Sequence, residues 1–287
     1  MVDRVPVCLS IAGSDSGGGA GIQADLKAFA RCGVHGATAI TALTAQNTVT
    51  VTRVDPVDPD MIRAQIDAVA EDLGVDAVKI GMVGGVPAIE AVAAGLDALP
   101  EGTPVVLDPV MVAESGARLL EPDAERALIE LLLPRATVAT PNLPEARVLA
   151  AAGGKGEDLD GAELAAAVRE LGTGAVILTG GHRERAVDVL VWDGEPPVLE
   201  IPGERHPDGA AHGSGCTHSS ALAAHLALGF TLPEAARAAR AIAGDAVRLG
   251  LRGLGAGAGP VNVLGVGHGD VGAHAASGRL GASPHAV

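Results

Sequence analysis

Short runs rich in valine and isoleucine alternate with helix-patterned segments along almost the whole chain, and that alternation restricts the fold more than any other feature. Strand-like runs lie at 5–12, 37–43, 77–80, 105–107, 137–140, 175–179, 187–192 and 198–201. Helical spacing occupies 21–32, 60–73, 87–99, 122–132, 143–152, 161–171, 217–228 and 232–249. Strands separated by helix-length crossovers pair in parallel, and such a sheet needs helices over both faces. The expectation is an α/β chain built as a three-layer αβα sandwich around a mostly parallel sheet. No composition break suggests a linker before about residue 252, so 1–265 reads as one domain. From 266 to 287 the chain is rich in Gly, Ala and His without a sustained period, the pattern of a loose tail.

Composition removes several classes of function. With two Phe, one Trp and no Tyr, the core must be built from Ala, Val, Leu and Ile, and aromatic stacking of bases is disfavoured. A formal charge of -15 speaks against a nucleic-acid surface and against a basic membrane patch. It leaves a phosphorylated small molecule open, because backbone donors and a metal ion hold phosphate without net positive charge. No run approaches the roughly 18 apolar residues of a membrane helix, and no basic region precedes an apolar leader. A soluble, cytoplasmic protein is expected. Cys8, Cys32 and Cys216 are too few and too scattered for a disulfide framework or a zinc site. Lys27, Lys79 and Lys155 are the only lysines, and Lys79 stands out for its apolar neighbours.

In folds of this class the chemistry lies at the carboxyl ends of the strands. The first strand runs into Gly13-Ser14-Asp15-Ser16-Gly17-Gly18-Gly19-Ala20-Gly21, a glycine-rich loop opening a helix. It matches neither nucleotide fingerprint: Gly19 stands where a P-loop lysine belongs, and Ile22 where a Rossmann loop needs its third glycine. Lys79-Ile80-Gly81-Met82, Leu107-Asp108-Pro109-Val110, Thr140-Pro141-Asn142-Leu143-Pro144-Glu145 and Thr179-Gly180-Gly181-His182 follow later strands. Asp108 also suits a strand terminator, and Asn142 with Glu145 also suits a capping box.

The most chemically suggestive run is His212-Gly213-Ser214-Gly215-Cys216-Thr217, just before a long Ala/Leu-rich helical segment. Small residues there bare backbone N–H groups at a helix N-terminus, which attracts anions. A thiol at that mouth is a candidate base or nucleophile, since the same field favours thiolate; a tight turn before a small buried cysteine is the plainer alternative. Carboxylates, amides and bare N–H donors gathered at one sheet edge are the equipment of phosphoryl transfer.

With these blocks in place, the chain resembles the bacterial hydroxymethylpyrimidine/phosphomethylpyrimidine kinases, thiamine-biosynthesis enzymes of the ribokinase-like superfamily. The resemblance rests on Ile11–Asp15 and Gly18–Lys27, on Ile40-Thr41-Ala42-Leu43-Thr44-Ala45-Gln46-Asn47-Thr48, and on the strand-end motifs above, all collinear between about 5 and 250. It implies a ribokinase-like fold and ATP- and Mg²⁺-dependent phosphorylation of 4-amino-5-hydroxymethyl-2-methylpyrimidine, then of its monophosphate. It also implies roles: Gln46 would bind the aminopyrimidine edge, with Gly13, Ala20, Asp25, Met82, Val110 and His212 lining the same pocket. Gly213, Gly215 and the Cys216 N–H would form the anion hole, with the Cys216 side chain as base. Asn142 and Glu145 would organise Mg²⁺, Asp108 would lie near the phosphates, Thr179 and Gly181 would contact ATP, and Lys79 is grouped with them. A homodimer acting on a small molecule, with no nucleic acid or membrane, is expected. The segment 208–211 and His218-Ser219-Ser220 depart from the family pattern. A pyridoxine/pyridoxal kinase on the same scaffold is the alternative, and a non-catalytic pyrimidine sensor is the rival from another class.

Overall fold

The computed structural model describes residues 4–111, 120–156, 158–180, 186–207 and 209–267. The elements run β1 (Val7–Asp15), α1 (Gly21–Cys32), β2 (His35–Gln46), β3 (Val51–Pro56), α2 (Pro59–Asp72), β4 (Ala77–Ile80), α3 (Val86–Leu96), β5 (Val105–Leu107) and α4 (Pro122–Ala127). They continue with β6 (Val138–Ala139), α5 (Leu143–Ala152), α6 (Gly161–Arg169), β7 (Val176–Leu178), β8 (Val187–Val191), β9 (Val198–Pro202), α7 (Ser214–Ala227) and α8 (Leu232–Arg248). Among the described residues, nine strands form one sheet in the order β3-β2-β1-β4-β5-β6-β7-β8-β9. The six from β2 through β7 are parallel, while β3, β8 and β9 join antiparallel at the two edges.

The period-2 alternation of each strand sorts side chains between two helical layers. Val7, Leu9 and Ile11 of β1 point to the layer of α2 to α6, where they join Ile62, Ile66, Ile89 and Val92. Cys8 points the other way, into a core shared with Phe29 of α1, Leu222 of α7 and Ala235 of α8. With so few aromatics, α7 and α8 pack through alanines (Ala221, Ala223 and Ala224 against Ala235, Ala236 and Ala239), which lets the helices approach closely. Ser10 and Lys79 fall on this second face by the same alternation, one layer beneath α1 and α7. Among the described residues no helix is long and apolar enough to cross a membrane.

The sandwich agrees with expectation, and the differences are local. The chain remains extended past Ala12 to Asp15, with a register shift between Ala12 and Ser14. Strand β3 was not expected; its side chains are almost all exposed, so it carries no alternating core pattern. The helix expected over 122–132 is α-helical only to Ala127 and continues as a π-helical turn, Leu128–Leu132. Most of the expected 266–287 tail lies outside the described residues.

Candidate active site

A cavity of about 420 Å³ opens at the carboxyl edge of the parallel strands, roofed by the start of α7 and by α8. Its wall takes Gly13, Ser14 and Asp15 from β1, Thr44 and Gln46 from β2, Met82 after β4, and Asp108 and Val110 after β5. Thr140, Asn142, Glu145 and Thr179 continue that wall, and His212 to Cys216 close it. Of the residues expected to bind the pyrimidine, Gly13, Ala20, Gln46, Met82, Val110 and His212 thus share one cavity. Gln46 is anchored by its backbone N–H, which donates to Ser16 Oγ at 2.9 Å, and its Oε1 accepts from Thr44 Oγ1 at 3.2 Å.

Asp25 is a correction. It does not line the cavity but is fully buried between α1 and the sheet, where it receives Lys79 Nζ at 2.9 and 3.0 Å. Ser10 Oγ and Ser220 Oγ complete its coordination at 2.5 and 2.7 Å. The reason is helical phase: Asp25 shares its face with the buried Ile22, Ala28 and Phe29. Lys79 touches the cavity wall but spends its ammonium on Asp25, so the expected ATP contact gains no support from its geometry.

Helix α7 is preceded by its N-cap Gly213, whose φ of +86° is in the left-handed region. A side chain there is doubly excluded, because a Cβ would sit 1.8 Å from the Gly19 carbonyl oxygen. Ser214 N–H turns back to Ala211 O at 2.9 Å and Thr217 N–H reaches Gly213 O at 2.9 Å. The Gly215 and Cys216 N–H groups are first-turn donors with no intrahelical partner. Gly215 differs from Gly213: a Cβ there would meet only Asp108 Oδ2, at 3.9 Å, so nothing in the protein itself demands a glycine. The bare position keeps the space over the helix end clear for a ligand.

The thiol does not behave as the helix field alone suggests. Loss of water around it pushes the Cys216 thiol up to about 12; Lys79 opposes that shift, while Asp25 and Asp108 add to it. The Gly21 N–H also opposes the rise. Burial and two neighbouring carboxylates thus favour the protonated thiol, against the Lys79 charge.

Asn142 and Glu145 form a complete capping box at the start of α5. Glu145 N–H donates to Asn142 Oδ1 at 3.0 Å, and Asn142 N–H donates to Glu145 Oε2 at 2.9 Å. Both residues nonetheless line the cavity, and Glu145 is buried. Desolvation, then the nearby Asp108 charge, raise Glu145 to about 8. Burial likewise pushes Asp108 upward, against the pull of Lys79 and of Ser219, whose hydroxyl donates to it at 3.0 Å. Two crowded carboxylates of this kind suit a divalent cation shared with phosphate oxygens. Among the described residues no three His, Cys, Asp or Glu side chains are grouped to hold a metal by themselves. Thr179 lines the cavity beside them, and Gly181 lies outside the described residues.

Sequence spacing assigns no role to several residues of the cavity. Asp15 accepts N–H bonds from Gly17, Gly19 and Ala20 and so shapes the glycine-rich loop. Asp188 and His218 meet at 3.2 Å in the wall beside Arg240. Only chain folding brings these pairs together, across tens to hundreds of residues.

The chain is similar to known proteins in sequence and in fold. The family model described as phosphomethylpyrimidine kinase matches residues 15–262. A hydroxymethylpyrimidine/phosphomethylpyrimidine kinase of Rhizobium meliloti is 49% identical over 259 residues, 89% of this chain and 96% of that protein. The solved ADP complex of Bacillus subtilis pyridoxal kinase superposes with a TM-score of 0.78 at 38% identity, over 90% of this chain and 97% of the other. A phosphomethylpyrimidine kinase from Clostridium difficile gives 0.70 at 39% identity, over 82% and 96%.

Proposed function

The chain belongs to the phosphomethylpyrimidine kinase family, and from that premise we propose that it phosphorylates the hydroxymethyl group of 4-amino-5-hydroxymethyl-2-methylpyrimidine with ATP. It then phosphorylates the resulting monophosphate to the diphosphate, a step toward thiamine. The observation that carries the reading is the bare first turn of α7, Gly213 to Cys216, in one cavity with Gln46, Asp108 and Glu145. Gln46 offers a donor and an acceptor together, which suits an aminopyrimidine edge. The Gly215 and Cys216 N–H groups stabilise charge on the transferring phosphoryl group, and the Cys216 sulfur is the acceptor for the hydroxymethyl proton.

ATP is the phosphoryl donor of this family, and the end of the cavity near Asp108 and Thr179 is its proposed seat. Asn142 and Glu145, with Asp108 beside them near the phosphates, would hold Mg²⁺, which would supply positive charge to neutralise the phosphate oxygens. The protein is proposed to act in the cytoplasm, where ATP is supplied, and as a homodimer. The exposed Leu43, Val49 and Val54 around the β2–β3 edge supply an apolar surface for a second copy, which sedimentation would detect.

The likeness to pyridoxal kinase favours a second activity on pyridoxal. Steady-state ADP release with the pyrimidine alcohol, its monophosphate and pyridoxal tests all three. Turnover of the first two confirms the reading; preferential turnover of pyridoxal replaces it. Pyrimidine binding without any ADP release would leave the sensor.

A further inference from the structure

The glycine-rich loop before α1 and the glycine turn before α7 lie almost two hundred residues apart in sequence, yet they meet at one carboxylate. Asp15 Oδ1 accepts the Gly17 N–H at 2.7 Å, and Asp15 Oδ2 accepts those of Gly19 and Ala20 at 3.0 and 2.8 Å. His212 Nε2 stands 3.3 Å from the same Oδ2. Both side chains are buried. The two backbones interlock there: a Cβ on Gly19 would strike the His212 ring at 2.3 Å, and a Cβ on Gly213 would strike the Gly19 carbonyl at 1.8 Å. On its far side, His212 is held by the Val261 N–H, which donates to its carbonyl at 3.0 Å.

Burying a carboxylate is costly unless hydrogen bonds compensate it. Burial alone pushes Asp15 up, but the His212 contact and the Ala20 and Gly17 N–H groups bring it below the usual carboxylate range. The charge is therefore kept, and its four contacts go to the two turns that flank the reacting end of the cavity. Neither turn has another polar side chain to the other: Gly17 to Gly21 and Gly213 to Gly215 carry only one hydroxyl, on Ser214.

We propose that Asp15 and His212 form a clasp that sets the distance between the glycine-rich loop and the anion-binding turn of α7, making Asp15 a positioning residue for phosphoryl transfer. Asp15 touches the turns and not the reacting atoms. It acts by fixing the Gly215 and Cys216 N–H groups relative to the wall that holds the acceptor, where small displacements weigh heavily on rate. The proposal rests on the kinase reading for its catalytic part, and its structural part stands apart from turnover.

The test combines backbone amide exchange with kinetics on the full chain. Asp15→Asn presents an NH₂ to N–H donors; His212→Leu removes the ring donor; His212→Gln restores a donor on a side chain of similar reach. If the clasp exists, His212→Leu speeds exchange at Gly17 to Ala20, and Asp15→Asn speeds it at Gly213 to Cys216, each in the turn opposite its own change. Turnover falls roughly 10- to 100-fold in both. His212→Gln recovers most of both readouts. Exchange that changes only next to each substitution overturns the clasp, as does wild-type turnover in a folded Asp15→Asn variant. Should Asp15→Asn not fold, His212→Leu and His212→Gln alone decide the same question. A wild-type protein without turnover but with reciprocal exchange would instead overturn the kinase reading and leave the clasp standing.

Discussion

Lys79 Nζ lies 2.9 and 3.0 Å from the two carboxylate oxygens of Asp25, with neither side chain exposed to solvent. The pair sits under α7, close enough to Cys216 and Asp108 for its charge to act on both. Burial pushes the lysine down, yet Asp25 first, then Cys216 and Asp108, more than reverse this and hold it above its ordinary value.

Removing one partner strands the other charge in a dry layer. Lys79→Met is expected to lower unfolding free energy by about 3–5 kcal/mol, read from urea denaturation. Converting the pair together, with Asp25→Leu added, should restore part of that loss because no charge is left unpaired. A raised lysine contributes stability that is complete below its unfolded value and is lost only as pH climbs through the folded one. The wild-type contribution is therefore flat between about pH 6 and 9. A loss below about 1 kcal/mol for Lys79→Met would mean that Ser10 and Ser220 alone satisfy Asp25.

Cys216 supports a prediction whose sign comes from the same charges. A thiol pushed up to about 12 is almost wholly protonated at neutral pH. If its sulfur takes the hydroxymethyl proton, turnover follows the thiolate fraction and climbs with pH throughout the range 6–9. Cys216→Ala should lower kcat by roughly 10²–10⁴ and flatten that climb. An unchanged kcat would reduce the thiol to packing and leave the N–H groups to do the work.

Much of the sandwich was legible because buried strands and helices carry their period: β4, β5, α1 and α5 begin and end where the pattern does. Strand β3 was not, since Arg53 and Asp55 at an exposed edge satisfy pairing without an alternating core face. Most of the cavity wall was legible as motifs at strand ends. Asp25 was grouped with the pocket along with the rest of its motif, but it shares the buried face of α1 with Ile22, Ala28 and Phe29 and meets the sheet instead of the cavity. Asp15, though part of the glycine-rich motif, and Asp188 received no role because their partners, His212 and His218, lie far along the chain.

Gln46 tests recognition at the other end of the cavity. Gln46→Leu keeps the approximate volume but leaves the aminopyrimidine edge facing a methyl group. A loss of about 1–3 kcal/mol in pyrimidine binding is expected, with ATP affinity nearly unchanged. Titration calorimetry on each ligand separates the two. Equal weakening of both would point to movement of the Ser16–Gln46 backbone link in place of lost recognition.

Glu145 belongs at once to a capping box and to the cavity, and Glu145→Gln separates those roles. The amide oxygen can still accept the Asn142 N–H, so the cap, worth about 0.5–2 kcal/mol, survives. The charge does not. Because desolvation and Asp108 raise Glu145 to about 8, the folded protein prefers it protonated. Its contribution is complete below the unfolded value and is lost as pH rises toward 8. Wild-type stability should thus decline between about pH 4.5 and 8 more steeply than that of Glu145→Gln, and at pH 8 the variant should melt no earlier. Turnover should fall sharply, with raised Mg²⁺ restoring part of it, because Asn142 and Asp108 would remain to hold the metal. Early melting with normal turnover would make Glu145 a cap alone, and the carboxylate pair would then have no part in phosphoryl transfer.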